Sequence, residues 1–395
     1  MTNLETISLP DFNNTKLAFR HRSLKELRRM HIMFSLVGSP FLVKAGERAL
    51  RLANMMHFPV NWILKPTIFK HFCGGENIEE CQSTAKILFN NNVKSILDYS
   101  AEGSEKEEDF EATKNHILQT IEAASKNNYS PFAVFKMTGI ASFSLLEKLS
   151  SGEMLSVKDQ SDYVKLKQRL EEIFSTAAML GIPVMVDAEE SWIQGAIDSL
   201  VVQMMKKYNR EKAIVFNTLQ MYRIDRLDWL KNLIREAKSL GFFPGIKFVR
   251  GAYWEKEILR AKKSNYQIPV FENKNHTDDA FDNGVVVALE NNDLLAVCIA
   301  THNEISCMKA VLKMRDLNLT PATSGVYFSQ LLGMSDHISF NLASLGYNVA
   351  KYVPYGPVKK VIPYLIRRAQ ENTSVEGQSG RELSLIVKEL ERRKD

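Results

Sequence analysis

Ile246-Lys247-Phe248-Val249-Arg250-Gly251-Ala252-Tyr253 is a short apolar run that ends in a cation and two small residues. A brief, β-branched, apolar run closed by glycine predicts a buried strand running into a turn. Runs of the same kind precede it at Ser95–Tyr99, Ala133–Met137, Pro183–Asp187 and Ala213–Asn217. Others follow at Ala296–Ala300, Gly325–Ser329 and Asn348–Tyr352. Amphipathic helical patterns separate them, over Glu108–Ser125, Tyr163–Leu180, Trp192–Lys207, Arg223–Ser239, Asp278–Leu289, Ile305–Met314 and Asp336–Leu345. A last pattern, Val358–Glu371, follows the final run. Strand and helix alternating eight times predict a (β/α)8 TIM-type barrel; a doubly wound sheet more often shows five or six strands.

Polarity at the ends of the runs points the same way. They close on Asp98-Tyr99-Ser100, Lys136-Met137-Thr138-Gly139, Asp187-Ala188-Glu189-Glu190, Asn217-Thr218-Leu219-Gln220 and Arg250-Gly251-Ala252-Tyr253. The later ones close on Thr301-His302-Asn303-Glu304, Ser329-Gln330 and Tyr352-Val353-Pro354-Tyr355. In a parallel barrel these ends gather at one mouth, where the chemistry of such folds sits. One polar residue at a strand end is only a strand stopping. Repeated at every end, the pattern marks a ligand site.

Residues 1–92 read as a helical region ahead of a barrel over 93–395, with Ser23 and Glu26 set as a capping box. Ala45–Met56 and Ile78–Phe89 carry helical spacing, and Phe58–Leu64 is apolar and interrupted by Pro59. Of the 395 residues 45% are hydrophobic and 25% charged, which predicts a soluble protein with a sizeable core. The net charge of +5 comes with no basic block interleaved with aromatics, so nucleic acid is not expected as a partner. Cys73, Cys81, Cys298 and Cys307 lack CxxC spacing, there is no HExxH, and no metal site is expected. No GxGxxG, GxxxxGK[ST] or GxSxG occurs. Without a leader pattern at Met1–Leu9 or an apolar run of about 20 residues, the expected place is the cytoplasm, or the inner face of a membrane touched only peripherally.

What remains is a mouth rich in cations: Lys136, Lys247, Arg250, Arg367 and Arg368, with Asp187 and Glu371 as counter-charges. A bare Arg-Arg pair is ordinarily a solvated helix face. Here it follows the apolar Tyr364-Leu365-Ile366, and guanidinium forks suit a carboxylate. Such a mouth suits an anionic cofactor and an anionic substrate together, and Gly251-Ala252 lets backbone approach a ligand closely.

Lys247-Phe248-Val249-Arg250-Gly251-Ala252-Tyr253-Trp254, Val186-Asp187-Ala188-Glu189-Glu190, Ala300-Thr301-His302-Asn303, Phe135-Lys136-Met137-Thr138-Gly139 and the stretch from Tyr352 to Asn372 together resemble the proline dehydrogenase (proline oxidase) family in its monofunctional form. The matches keep the family's order from about residue 90 to 375. The resemblance implies a distorted (β/α)8 barrel that binds FAD and oxidises L-proline to Δ1-pyrroline-5-carboxylate, passing electrons to a quinone. It also implies a separate pyrroline-5-carboxylate dehydrogenase downstream. By position, Arg367, Arg368 and Lys136 would hold the substrate carboxylate and Glu371 an arginine head or the substrate ammonium. Tyr352 would pack on the ring, supported by Asp187, and Leu331 or Leu332, with Leu332 preferred, would cover its apolar face. Lys247 would lie near the flavin's hydride-accepting nitrogen, where many bacterial members carry arginine. Gln220, Arg250, Gly251, Ala252, Trp254, Thr301 and His302 would contact FAD.

Two other readings keep their place. Hydroxyproline dehydrogenase shares the clamp and the flavin, but has a smaller residue at the position of the bulky Tyr352. A flavin-free binding scaffold would use the basic mouth without chemistry, and predicts a colourless protein.

Overall fold

The structure, a computed structural model, describes residues 8–38, 41, 46, 48, 64–99, 105–374 and 378–394, the side chains of 37, 369–374 and 378–379 excepted. Its strands are β1 Lys94–Tyr99, β2 Ala133–Lys136, β3 Val184–Asp187, β4 Val215–Gln220, β5 Gly245–Val249, β6 Ala296–Ala300, β7 Val326–Leu331 and β8 Val349–Tyr355. They pair in parallel, in chain order, and β8 returns to β1 to close the barrel.

Side chains alternate across the wall, as the two-residue period of a strand requires. Ile96, Val134, Met185, Phe216, Cys298, Ala350 and Tyr352 fill the interior. Their chain neighbours Leu97, Phe135, Val186, Val215, Val297, Val349 and Val353 pack outward against the helices. Strand register extends this to the polar ends. Lys136 pairs with Asp187, Thr218 with Lys247, and Leu331 with Tyr352, so each pair shares the inner face.

β4, β7 and β8 run two to three residues further than the sequence pattern predicts. Their polar ends are still laddered, as Gln220 is to Val249 and Gln330 to Lys351. Gln220 turns into the mouth, whereas Gln330 faces the outer helix Asp336–Ser344, where its oxygen accepts from the Ser339 hydroxyl at 2.7 Å; at neither end does polarity stop the strand. Two helices between strands, Phe143–Ser151 and Trp254–Ser264, escape the pattern, as does Gln378–Arg392 beyond β8. The first is a nine-residue piece between Ser142, which caps it, and Gly152 at φ 72. The second is eleven residues, mostly charged, with few apolar positions to show a period.

The N-terminal residues lean on the barrel. Ser23 and Glu26 form the expected capping box on the helix Leu24–Val37, which packs through Leu27, Met30 and Phe34 against Leu385 and Ile386 of the helix Gln378–Arg392. Gly74 donates its N–H to the Pro354 carbonyl at 2.9 Å beside the β8 end. Apart from Leu64, the stretch Phe58–Leu64 lies outside the described residues, as does most of Ala45–Met56. Among the described residues no helix is long and apolar enough to cross a membrane, and no group of acids, histidines and cysteines could hold a metal ion.

Candidate active site

Three inward-facing side chains meet where β3, β5 and β8 end. The Lys247 ammonium donates to Asp187 Oδ1 and, at 2.6 Å, to the Tyr352 hydroxyl oxygen; the Tyr352 hydroxyl lies 3.4 Å from the same carboxylate oxygen. Lys247 is 4% exposed. Its charge is therefore balanced by one carboxylate, and it also sits 4.6 Å over the Tyr352 ring. Burial pushes the Tyr352 phenol well above its ordinary ionisation, so it stays neutral and polar.

Arg250 forms a second cluster. Nε donates to Asp278 at 2.5 Å, one terminal nitrogen to Thr301 Oγ1 at 2.6 Å, and the other to Ser306 Oγ at 2.9 Å. Gln220 ties the loop after β5 to the loop after β3. Its amide N–H donates to the Glu189 carbonyl at 2.6 Å, and its oxygen accepts from Ala252 N–H at 3.1 Å. Gly251 between them sits at φ 136, a conformation L side chains rarely adopt, and a Cβ there would stand 2.5 Å from the Tyr222 ring. His302 is held through Nδ1 by Ser335 Oγ at 2.9 Å. Burial keeps its pKa well below the ordinary histidine value, and among the nearby cations that add to this is Arg368.

The helix Val358–Ser374 reaches the mouth by its packing. Arg367 and Arg368 are half-buried on it, and the Arg368 guanidinium lies 5.1 Å over the Tyr364 ring. Tyr364 and Leu365 pack with Leu331, which also touches the interior cluster that holds Tyr352. Leu331 is thus the leucine between the arginine helix and the tyrosine. Leu332, the residue expected there, is not that leucine: one residue along, its side chain turns outward into the barrel–helix core. Lys136 shares the inner face with Asp187, and its charge is felt at Glu189. Trp254 keeps apart from these clusters; it is 43% exposed and donates its indole N–H to the Phe271 carbonyl at 2.9 Å. The Glu371 side chain lies outside the described residues.

Glu189 was quoted in a motif but given no role. The structure gives it one. Its carboxylate accepts the Thr138 N–H at 3.0 Å and the Thr138 hydroxyl at 2.5 Å, which fixes the turn after Lys136. Burial pushes its pKa up to about 7. Ser335, Asp336, Lys351 and Glu382 were also missed, and no local pattern marks them.

The proline dehydrogenase family model matches residues 81–381. The chain belongs to the proline dehydrogenase family. It is 35% identical over 322 residues to the carbapenem antibiotics biosynthesis protein CarD of Pectobacterium carotovorum subsp. carotovorum, covering 82% of this chain and 83% of that protein. It is 30% identical over 431 residues to the mitochondrial proline dehydrogenase 1 of Dictyostelium discoideum, covering 97% of this chain and 75% of that one. Among solved structures, proline utilization A from Bdellovibrio bacteriovorus, inactivated by N-propargylglycine, superposes with a TM-score of 0.71 at 21% identity. That match covers 91% of this chain but only 38% of the longer solved one, and speaks to the fold that this family member shares with it.

The residues present fit a flavin dinucleotide. Arg250 and Lys247 supply fixed cations for a polyanionic, electron-accepting group. Ser329 faces inward between Tyr327 and Leu331, and its buried hydroxyl has no hydrogen-bond partner among the described residues, so a polar ligand group would satisfy it.

Proposed function

We propose that this protein is a flavin-dependent dehydrogenase that oxidises L-proline to Δ1-pyrroline-5-carboxylate and passes the electrons to a quinone. One observation supports this above others. A buried lysine, a carboxylate and a neutral tyrosine form one hydrogen-bonded cluster on the inner wall of the mouth, with the arginine helix packed beside it through Leu331. Gln220, Lys247, Arg250, Gly251, Ala252, Thr301, His302 and the more exposed Trp254 would hold FAD, which when bound would supply the hydride acceptor.

The chain's own residues do the rest. Arg367, Arg368 and Lys136 hold the substrate carboxylate, which fixes the ring's orientation, and Glu371 holds an arginine head or the ammonium. Tyr352 and Leu331 close over the ring and exclude water from it. Asp187 keeps Tyr352 and Lys247 in place, so that no side chain has to reorganise while charge moves. Lys247 stabilises negative charge that develops on the side of the cofactor. The proline nitrogen must give up its proton before its lone pair can assist hydride departure.

The visible spectrum of the purified protein tests this directly. A yellow chromophore should bleach under anaerobic L-proline and return on adding a soluble quinone, with trans-4-hydroxyproline much slower because Tyr352 fills the space its hydroxyl needs. A colourless protein inert to proline would remove the proposal. A peripheral membrane contact for quinone access, and a separate dehydrogenase for the pyrroline product, belong to the same reading. Liposome flotation of oxidised and reduced protein tests the former.

A further inference from the structure

Between Leu331 and Asp336 the chain turns sharply, with Gly333 at φ 77 and Ser335 at φ 52. A serine in the left-handed region has to be held there by its surroundings. Three groups from other parts of the chain do so, Lys351 and Glu382 buried and His71 partly so. Lys351 on β8 donates to the carbonyls of Met334 and, at 3.3 Å, Leu331; His71 donates Nε2–H to the Gly333 carbonyl at 2.8 Å. Glu382, on the helix Gln378–Arg392, accepts the Ser335 backbone N–H.

The Ser335 side chain is fully buried, and His302 Nδ1 is its one hydrogen-bond partner among the described residues. A buried hydroxyl proton needs an acceptor. If Ser335 accepted from Nδ1–H, its own proton would have none. Donation from Ser335 to Nδ1 satisfies both groups and leaves the imidazole proton on Nε2. The depressed ionisation of His302 is consistent with this, since it keeps the ring neutral and makes the choice of nitrogen matter.

We propose that Glu382 is a positioning residue: by fixing the Ser335 turn from outside the barrel wall, it holds His302 as the Nε2–H tautomer and so presents a hydrogen-bond donor to the cofactor. That the recipient is the cofactor rests on the flavoenzyme reading above; the tautomer itself does not.

The test uses the full chain, labelled with 15N-histidine and free of cofactor. Long-range 1H–15N spectra report the His302 tautomer, its signals being assigned by their loss in His302→Gln. Wild type should show Nε2–H alone. Glu382→Ala should show a mixture of tautomers, Glu382→Gln, which keeps an acceptor for the Ser335 N–H, should restore the single form, and Ser335→Gly, which tolerates the turn but lacks the hydroxyl, should also give a mixture. FAD titration should show affinity about tenfold weaker in Glu382→Ala, the lower end of what losing the outer hydrogen-bond partner of a ligating histidine costs at metal sites. An Nδ1–H tautomer in wild type, or an unchanged tautomer in Glu382→Ala, would overturn the proposal. Should the alanine variant not fold, Glu382→Asp, which keeps the charge but draws the acceptor back, decides in its place. A wild type that binds no FAD would sink the flavoenzyme reading while leaving the tautomer result to stand or fall alone.

Discussion

Arg367 and Arg368 are the side chains on which substrate affinity is expected to depend most. Replacing both with methionine keeps much of the apolar contact and removes the charge. The expected cost is about 2–5 kcal/mol, a rise in KM for proline of roughly 30-fold or more, because a carboxylate would be left poorly paired. Steady-state kinetics check this, and an unchanged KM would remove the clamp. Glu189 makes a separate prediction. Its folded pKa of about 7 lies above the ordinary 4.5, so the folded protein binds this proton more tightly than the unfolded chain does. Its contribution is therefore most favourable below about pH 4.5, declines as pH rises to about 7, and is flat beyond. Relative to wild type, Glu189→Gln should gain stability across that window, by at most about 3 kcal/mol. Urea midpoints of the two proteins at pH 5 and pH 8 give the comparison.

Elements explain which parts could be read in advance. The barrel was legible because each strand's apolar run is local, and the polar ends at Asp187, Lys247 and Tyr352 sit in those runs at inward-facing positions. The helix Trp254–Ser264 was not, because its one buried side lies against the loop after β3. There Glu257 accepts Ser191 N–H at 2.7 Å and the Ser191 hydroxyl at 2.5 Å, contacts that no spacing announces. Leu331 and Leu332 are adjacent and chemically identical, so only the register of β7 with β8 separates inner from outer. The loop between β5 and that helix carries the next prediction. Gly251→Ala should destabilise the protein by about 1–3 kcal/mol from the backbone conformation alone, beyond any displacement of the Tyr222 ring. Thermal melting should fall, and cofactor retention with it; a variant with wild-type melting and FAD affinity would show that the loop has room to adjust.

Across the whole molecule, the buried charges that the sequence pattern could not reveal come from widely separated segments. Lys351 has no exposed surface and pairs with Asp336 at 2.9 Å, and Arg22 lies 3.4 Å from the same carboxylate. Burial opposes ionisation of Asp336, yet Lys351 and Arg22 hold its carboxyl below the usual range. Nothing local predicts that residues 22, 336 and 351 should meet; only the closed fold does it. Lys351→Met should cost about 3–5 kcal/mol, since it leaves a carboxylate buried with a weaker set of partners. Denaturant unfolding measures it, and a loss below about 1 kcal/mol would mean that Arg22 alone suffices.

The helix Gln378–Arg392 closes on the Leu24–Val37 helix and braces the turn at Ser335, yet it is translated after all eight strands. Chains grow at roughly 5–20 residues per second and tend to fold from the N-terminal side. The barrel could therefore close while that turn is still unbraced, and the geometry at Ser335 would be completed last, when this helix docks.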